Sequence, residues 1–480
     1  MDKEVHSRVY ESARQQERER VRAFIEDIKN EIAGAPFFLN LFAPKGFGKT
    51  AFLGQIWENY ERVLPASLVR VGDFRKEGGE TLALNDLLVH IIRDLGERLP
   101  RRVAPLPPDY EELTNEKQLA ELLLNLISGA KDYEKVTLLL MDDYDLMPEK
   151  QRRWFQENIF SPAARTRKIA VILTSATELR FTESFDLRMR LECRELRSLD
   201  PEAISRALPE YEGIAGEIHR ITGGLPLLTE KFIEQLKASQ VATSADFQAH
   251  AQELTGKYYR AYVENRVLAD LAPDVLETML TLTLLRRFDV KVLKKILPDL
   301  LPEPYQSYGT ADYLDLIDHL RPWVEWRRQG GYTLNPAFRL MLQGYVLTIK
   351  PDLYKRVNRA AEVMYRGWLE SEYREHYLIE LLYHVLALHR AEEAYGLFPV
   401  HDEMSQIRVS DELLKYLTGD GGHRVQEADL DSLRNSLKQD PDLKYYISED
   451  VEDTIQALID QKIKEEEAQK KIIPLSSKAG

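Results

Sequence analysis

Apolar residues in the first part of the chain gather in short unbroken runs, and amphipathic stretches of helical period separate them. Phe37–Phe42, Ala66–Val71, Val136–Met141, Ile169–Thr174 and Leu191–Leu196 read as strands. The run at Val136–Met141 has the continuous apolar character of a strand buried on both faces. Between them, Thr50–Tyr60, Leu82–Leu99, Glu116–Ala130 and Pro148–Phe160 carry helical spacing, with a proline-rich loop at Pro105-Leu106-Pro107-Pro108. Such alternation of strand and helix predicts a parallel sheet with helical crossovers. A highly charged helical stretch precedes it and breaks at Gly34-Ala35-Pro36. Past Leu196 the pattern turns helical, opening at Asp200-Pro201 with Asp as cap and Pro in the first turn.

A second strand signal appears late. Trp323-Val324-Glu325-Trp326, the turn Gln329-Gly330-Gly331 and Tyr332-Thr333-Leu334 predict a hairpin after helices, as in a winged helix. Helices resume at Tyr354–Glu370, His376–Leu388 and Glu392–Leu397. The run Gln461–Lys471 reads as a solvated helix that frays into Ser476-Ser477-Lys478-Ala479-Gly480. The expected divisions are a charged helical segment (1–35), an α/β domain (36–198), a helical lid (199–254), a winged-helix domain (255–350), a helical region (351–460) and a charged tail (461–480).

Composition narrows the class. The chain has 480 residues, 44% hydrophobic and 30% charged, enough for several domains with packed cores. Its one cysteine, Cys193, excludes an internal disulfide framework and suits a reducing compartment. The charged start, Met1-Asp2-Lys3-Glu4, lacks the apolar stretch of a signal peptide. No apolar run reaches the roughly 20 residues of a membrane span, so a cytoplasmic protein without membrane contact is expected. A net charge of −14 argues against nucleic acid as the default partner, although Arg152-Arg153, Arg165 to Lys168 and Arg327-Arg328 form basic clusters. The plainer account of those clusters is solvated helix ends and loops.

Chemistry enters at Ala43-Pro44-Lys45-Gly46-Phe47-Gly48-Lys49-Thr50, followed by Ala51, between the first strand and the first crossover helix. Small residues there let backbone N–H groups turn inward around phosphate oxygens at the positive end of a helix. Lys49 would reach the terminal phosphates and the Thr50 hydroxyl would hold Mg²⁺. The general pattern has glycine where Ala43 stands. The natural companion of such a loop is an apolar strand ending in acid, and Leu138-Leu139-Leu140-Met141-Asp142-Asp143 supplies it. Asp142 would share the Mg²⁺ with Thr50, and Asp143 would orient or deprotonate the attacking water. Taken alone, two aspartates after a strand also make a common turn.

These motifs resemble the loop and acidic motifs of MalT-like STAND ATPases, signal-transduction NTPases related to AAA+, NB-ARC and NACHT proteins. Alanine at the position of Ala43 is a familiar variant in that group. Thr222-Gly223-Gly224-Leu225-Pro226-Leu227 is similar to the group's Gly-x-Pro motif, and the resemblance implies that Pro226 packs on adenine. Tyr332-Thr333-Leu334-Asn335-Pro336-Ala337-Phe338-Arg339 resembles the winged-helix motif, in which a histidine senses the ADP β-phosphate; Asn335 stands in its place. Arg14-Gln15-Gln16-Glu17 resembles an N-terminal element that lies near the base. At the end of the fourth strand Thr174 falls at the phosphate-sensor position, but Ser175 is followed by Ala176 where the group often has arginine. That role then falls to Arg180, Arg188, Arg190 or a neighbouring subunit. The likeness covers about residues 12 to 350, and no LuxR-type DNA-binding domain is expected. Plainer accounts remain for the later motifs: a helix connection at Gly223–Pro226, a turn at Asn335-Pro336, and core packing for Trp323, Trp326, Phe338 and Tyr345.

The resemblance implies an ATP- and ADP-dependent switch with slow hydrolysis, whose α/β P-loop NTPase core is followed by a helical lid, a winged helix and an all-α region. ATP and Mg²⁺ are its expected cofactors. A homo-oligomer, or a partner protein docked on the helical C-terminal region, is its expected output. Two alternatives stand beside it: a DNA-binding ATPase of the origin-recognition kind, and a scaffold that binds nucleotide without turnover.

Overall fold

A computed structural model describes residues 14–75, 82–99, 106–132, 135–181, 184–241, 243–269, 271–321, 323–327, 331–392, 403–418, 427–440 and 449–472, with the single positions 425 and 443. The expected turn residues Gln329 and Gly330, the helix from 393 to 397 and the tail from 476 onward lie outside the described residues. So do the first thirteen positions. The chain divides into two compact units, Met1–His219 with Gly224–Ala238, and Arg220–Gly223 with Ser239–Gly480.

All five strands expected in the first unit form, as β1 (Phe38–Phe42), β2 (Ala66–Arg70), β3 (Thr137–Asp142), β4 (Ile169–Ser175) and β5 (Leu191–Glu195). They pair in the order β2-β3-β4-β1-β5, every neighbour parallel. Central β3 and β4 are buried along their whole length, which explains their unbroken apolar sequences. β5 closes one edge and can carry the charged residues Glu192, Arg194 and Glu195 because one side of it is free of the sheet.

The crossover helices follow from their spacing. Helix α1 (Gln15–Lys29) buries Val21, Phe24, Ile25 and Ile28, one stripe at helical period. Helix α2 (Lys49–Tyr60) starts directly after the glycine loop. Helix α3 (Leu84–Arg98) buries Leu84, Leu87, Leu88, Ile91, Ile92 and Leu95, and α4 (Glu116–Asp132) follows it.

The helix expected over Pro148–Phe160 is interrupted. Glu149–Phe155 is α-helical, Gln156–Phe160 is wound as a π-helix, and Ser161–Arg165 returns to α. The wider turn brings residues five apart onto one face. Phe155 and Phe160 therefore meet edge to face at 5.0 Å, and Phe160 also packs on Phe38 at 5.0 Å. Periodicity counting at 3.6 residues cannot see this shift.

The second unit is helical apart from one hairpin, β6 (Val324–Arg327) with β7 (Gly331–Leu334), antiparallel and following the helix Thr310–His319. Phe338 and Tyr345 are buried as the core reading expects, but Trp326 is 63% exposed, because its strand belongs to a two-stranded sheet with an open face. The helices Pro336–Ile349, Pro351–Ser371 and Glu375–Glu392 pack in sequence behind the hairpin. A buried ionic cluster lies among them: Arg286 donates to both oxygens of Glu380 and to Asp440. No helix among the described residues is long and apolar enough to cross a membrane.

Candidate nucleotide site

Sheet order decides where the site forms. Chain connections run one way from β1 to β2 and the other way to β5, and β4 pairs with β1 in between. Crevices at the carboxyl ends of strands open at such a reversal. Register then sets the residues: Leu41 pairs with Thr174, Phe42 with Ser175, and Arg70 with Asp142. The loop after β1 and the acid at the end of β3 thus share one edge of the sheet.

The loop backbone needs its glycines. Gly46 has φ +98° and Gly48 φ +77°, the left-handed region where a side chain is strained. Gly48 is also the residue that caps α2, so Lys49 and Thr50 open the helix with its unpaired N–H groups. Ala43 and Phe47 are buried, and Thr50 is exposed at the helix start. Pro44 is buried, and Ala51 lies in the first helical turn. A Cβ placed on Gly46 would stand 4.0 Å from Leu225, so the segment leading into the helix Pro226–Ala238 passes close to the loop. Pro226 itself is buried at that helix's first position.

Lys49 is the most informative side chain. It is buried, and its ammonium donates to the carbonyl oxygens of Ala43 at 2.7 Å and Pro44 at 3.2 Å. Burial pushes its pKa down, while the charges of Asp143, Asp145 and Asp142 oppose that shift. A cation folded onto its own loop and faced by three carboxylates has a ready exchange available: phosphate oxygens can take the place of the two carbonyls.

The acidic side is ordered by Thr174. Its hydroxyl donates to Asp142 Oδ1 at 2.5 Å and accepts the N–H of Asp143 at 2.8 Å. Asp142 is buried at the end of β3, and its Oδ2 has no partner among the described residues. Asp143 turns the chain with φ +52°, a conformation aspartate tolerates better than most residues. Burial raises the pKa of Asp143, the charge of Asp142 adds to the rise, and Lys49 counters it. Among the described residues no group of three or more acids, histidines or cysteines could hold a metal alone. A Mg²⁺ bound between Thr50 and Asp142 would therefore take most of its ligands from nucleotide and water, as Mg²⁺ commonly does.

One participant escaped the sequence reading. Asp145 accepts the N–H of Ala176 at 2.8 Å and adds its charge to the surroundings of Lys49. It was visible as a third acid after the strand, but the 3₁₀ turn that carries it, Tyr144–Leu146, was not. Arg14 was expected near the base, but its backbone contacts were not foreseen. The guanidinium is fully buried and donates to the carbonyls of Phe47 and Arg197, with Glu17 as ion-pair partner. It joins the glycine loop to the chain just beyond β5.

Asn335 belongs to the second unit, where it caps the helix Pro336–Ile349 by accepting from Ala337 and Phe338, and its amide donates to Glu325 at 2.8 Å. Of the arginines considered for a phosphate-sensing role, Arg180 is 79% exposed and 3.8 Å from Glu178, Arg188 lies over Phe185, and Arg190 donates to the Ala35 carbonyl.

Neither a protein-family model nor a curated protein sequence matches this chain. Solved structures do. The Walker-type ATPase PABY2304 of Pyrococcus abyssi aligns with 69% of this chain and 95% of its own length, at 11% identity and a TM-score of 0.50. Cdc6p from Pyrobaculum aerophilum aligns with 68% of this chain and 92% of its own at 16% identity, and a structure of Drosophila ORC bound to DNA with 70% and 95% at 14%. The TM-scores of these two, 0.34 and 0.29, are too low to bear on the fold. The first likeness is one of fold, and it agrees with the parallel sheet and glycine loop. The chain has the α/β fold of a P-loop NTPase core, with a large helical C-terminal region.

Proposed function

We propose that this protein is a STAND-type ATPase, a switch that binds Mg-ATP, hydrolyses it slowly and thereby controls self-assembly or the docking of a partner protein. The observation that carries this reading is Lys49, buried beneath two left-handed glycines with its ammonium on the Ala43 and Pro44 carbonyls. In nucleotide it would exchange those carbonyls for phosphate oxygens, with the N–H groups that open α2 beside it. Thr50 and Asp142 would hold the Mg²⁺, which supplies charge neutralisation on the phosphates. Thr174 keeps Asp142 in place through its hydroxyl.

Asp143 suits the role of proton acceptor. Its pKa is raised by burial and by Asp142, which makes it a better base than an ordinary carboxylate. Slow turnover is part of the proposal because a switch must dwell in each state. Its two states need differential contacts with ATP and ADP, and Pro226 and Asn335 are the residues assigned that task by the family resemblance.

Light scattering of the protein without nucleotide, with ADP and with a non-hydrolysable ATP analogue tests this. Assembly with the analogue alone, lost in Lys49→Ala, is the expected result. An unchanged mass in all three states would remove self-assembly from the proposal.

A DNA-binding ATPase is the second reading, favoured by Trp326, 63% exposed on a hairpin strand where an aromatic ring could meet a nucleic acid. Salt-dependent duplex binding lost in Trp326→Ala would support it over the switch.

A further inference from the structure

The carboxyl ends of the strands are not the only concave edge of the first unit. At the opposite edge Phe37 precedes β1, Arg167 precedes β4 and Arg190 precedes β5. They line an open cavity of about 690 Å³ together with Arg165, Phe185 and Met189. From this geometry we infer that the cavity docks an acidic peptide segment of another protein, in which an apolar side chain is flanked by carboxylates.

Charge carries the first half of the argument. The chain has net charge −14, and arginines elsewhere on the first unit find acids, such as Arg20 with Glu192 and Arg98 with Glu61. Around this cavity the pattern fails. Among the described residues, Arg165, Arg167, Arg188 and Arg190 have no carboxylate within ion-pair distance. Arg188 lies over the Phe185 ring at 5.2 Å, and Arg190 over Phe37 at 5.1 Å with its N–H on the Ala35 carbonyl. Arg165 and Arg167 are exposed. A cluster of guanidiniums at one rim is the usual means of holding carboxylate or phosphate groups.

Apolar surface carries the second half. Phe185 and Met189 are each 64% exposed, and they stand one helical turn apart on the same short helix. Ile32, 54% exposed, adjoins a smaller cavity of about 220 Å³ that shares Phe37, Arg167 and Arg190. Three large exposed apolar side chains beside two adjoining hollows mark a contact surface rather than scattered chance exposure.

The same cavities say why the occupant is a peptide. Asp186 sits on the larger one, and Asp27 and Glu31 line the smaller. A nucleic-acid backbone needs a continuous basic track, and these acids would interrupt it. A short segment needs only a local cluster, with one apolar side chain in the hollow and its carboxylates on the arginines. The volume suits a few side chains.

The inference is independent of the nucleotide reading, and so is its test. A random-peptide display library is selected on the full chain and counter-selected on Arg165→Glu/Arg167→Glu; the best peptide is then measured by fluorescence anisotropy. Enriched peptides should pair Asp or Glu with an aromatic or large aliphatic residue. Their affinity should fall at least about tenfold in Arg165→Glu/Arg167→Glu and in Phe185→Ser, with thermal midpoints unchanged because these side chains are exposed. No enrichment, peptides without acids, or binding indifferent to both variants would overturn the inference. So would a single-stranded dT20 oligonucleotide that binds the wild type and not the double variant, or self-association abolished by it.

Discussion

Arg14 and Phe47 are joined by a buried hydrogen bond, the guanidinium donating to the glycine-loop carbonyl across 33 residues of sequence. The same side chain holds the carbonyl of Arg197 just beyond β5, so one cation ties the loop to the sheet's edge. A carbonyl so held cannot rotate toward a bound phosphate, where its partial negative charge would repel the anion.

Arg14→Ala should therefore do two things. Losing charge-assisted bonds in a buried place costs about 1.5–3 kcal/mol of stability, read as a lower unfolding midpoint. Nucleotide affinity should drop about tenfold, measured by titration calorimetry, because the loop is no longer braced. An affinity equal to wild type would show that the brace is unconnected with binding.

Asp143 gives a pH signature. Its folded-state pKa is raised, so the folded protein holds this proton more tightly than the unfolded chain. Its contribution is thus most favourable below the ordinary carboxylate value of 3.8, and it is lost as pH rises through the folded value. Asp143→Asn removes that loss. The nucleotide-free variant should be more stable than wild type at pH 7, with the advantage shrinking toward pH 4, while ATP hydrolysis is abolished. Thermal unfolding across that range checks it, and equal stability at both ends would refute the assigned cause.

How much of this was legible in the sequence depends on what each residue's neighbours are. The strands were readable because β3 and β4 are buried on both faces and must be apolar throughout. The glycine loop was readable because left-handed backbone at Gly46 and Gly48 demands that residue type. Arg14 was legible only as a motif letter, since its partner carbonyls at Phe47 and Arg197 are backbone groups that leave no trace in composition. The π-helix at Gln156–Phe160 was invisible because counting at 3.6 residues per turn does not register the wider turn that sets Phe155 against Phe160. Trp326 was misread as core for a related reason: aromatic character in a strand does not say which face is covered.

Gly224 tests the reading of the glycine pair by sterics alone. It has φ +66°, and a Cβ there would stand 2.0 Å from the carbonyl oxygen of Leu199. That approach is fixed by a hydrogen bond from Leu199 N–H to the Gly224 carbonyl at 2.8 Å. Left-handed strain alone costs about 1–3 kcal/mol, and the backbone clash adds to it. Gly224→Ala should lower the unfolding midpoint clearly. Gly216→Ala, where a Cβ meets nothing within 4 Å, should not.

The ionic cluster of the second unit makes the last prediction, and it turns on asymmetry. Arg286 is buried with Glu380 on one side and Asp440 on the other, at 2.8 Å and 2.6 Å. Its guanidinium also lies 4.8 Å from the Tyr383 ring. Truncating Glu380 removes the acceptor of two buried Arg286 donors, Nε and Nη2, and breaking a buried pair in this way costs about 3–5 kcal/mol, whereas replacing the whole cluster together costs far less. Glu380→Ala should thus destabilise strongly in chemical denaturation. Arg286→Met/Glu380→Leu/Asp440→Leu, which replaces charge by apolar volume, should recover much of that loss. If the triple variant is as unstable as the single one, the cluster contributes through specific hydrogen bonds that no apolar packing can replace.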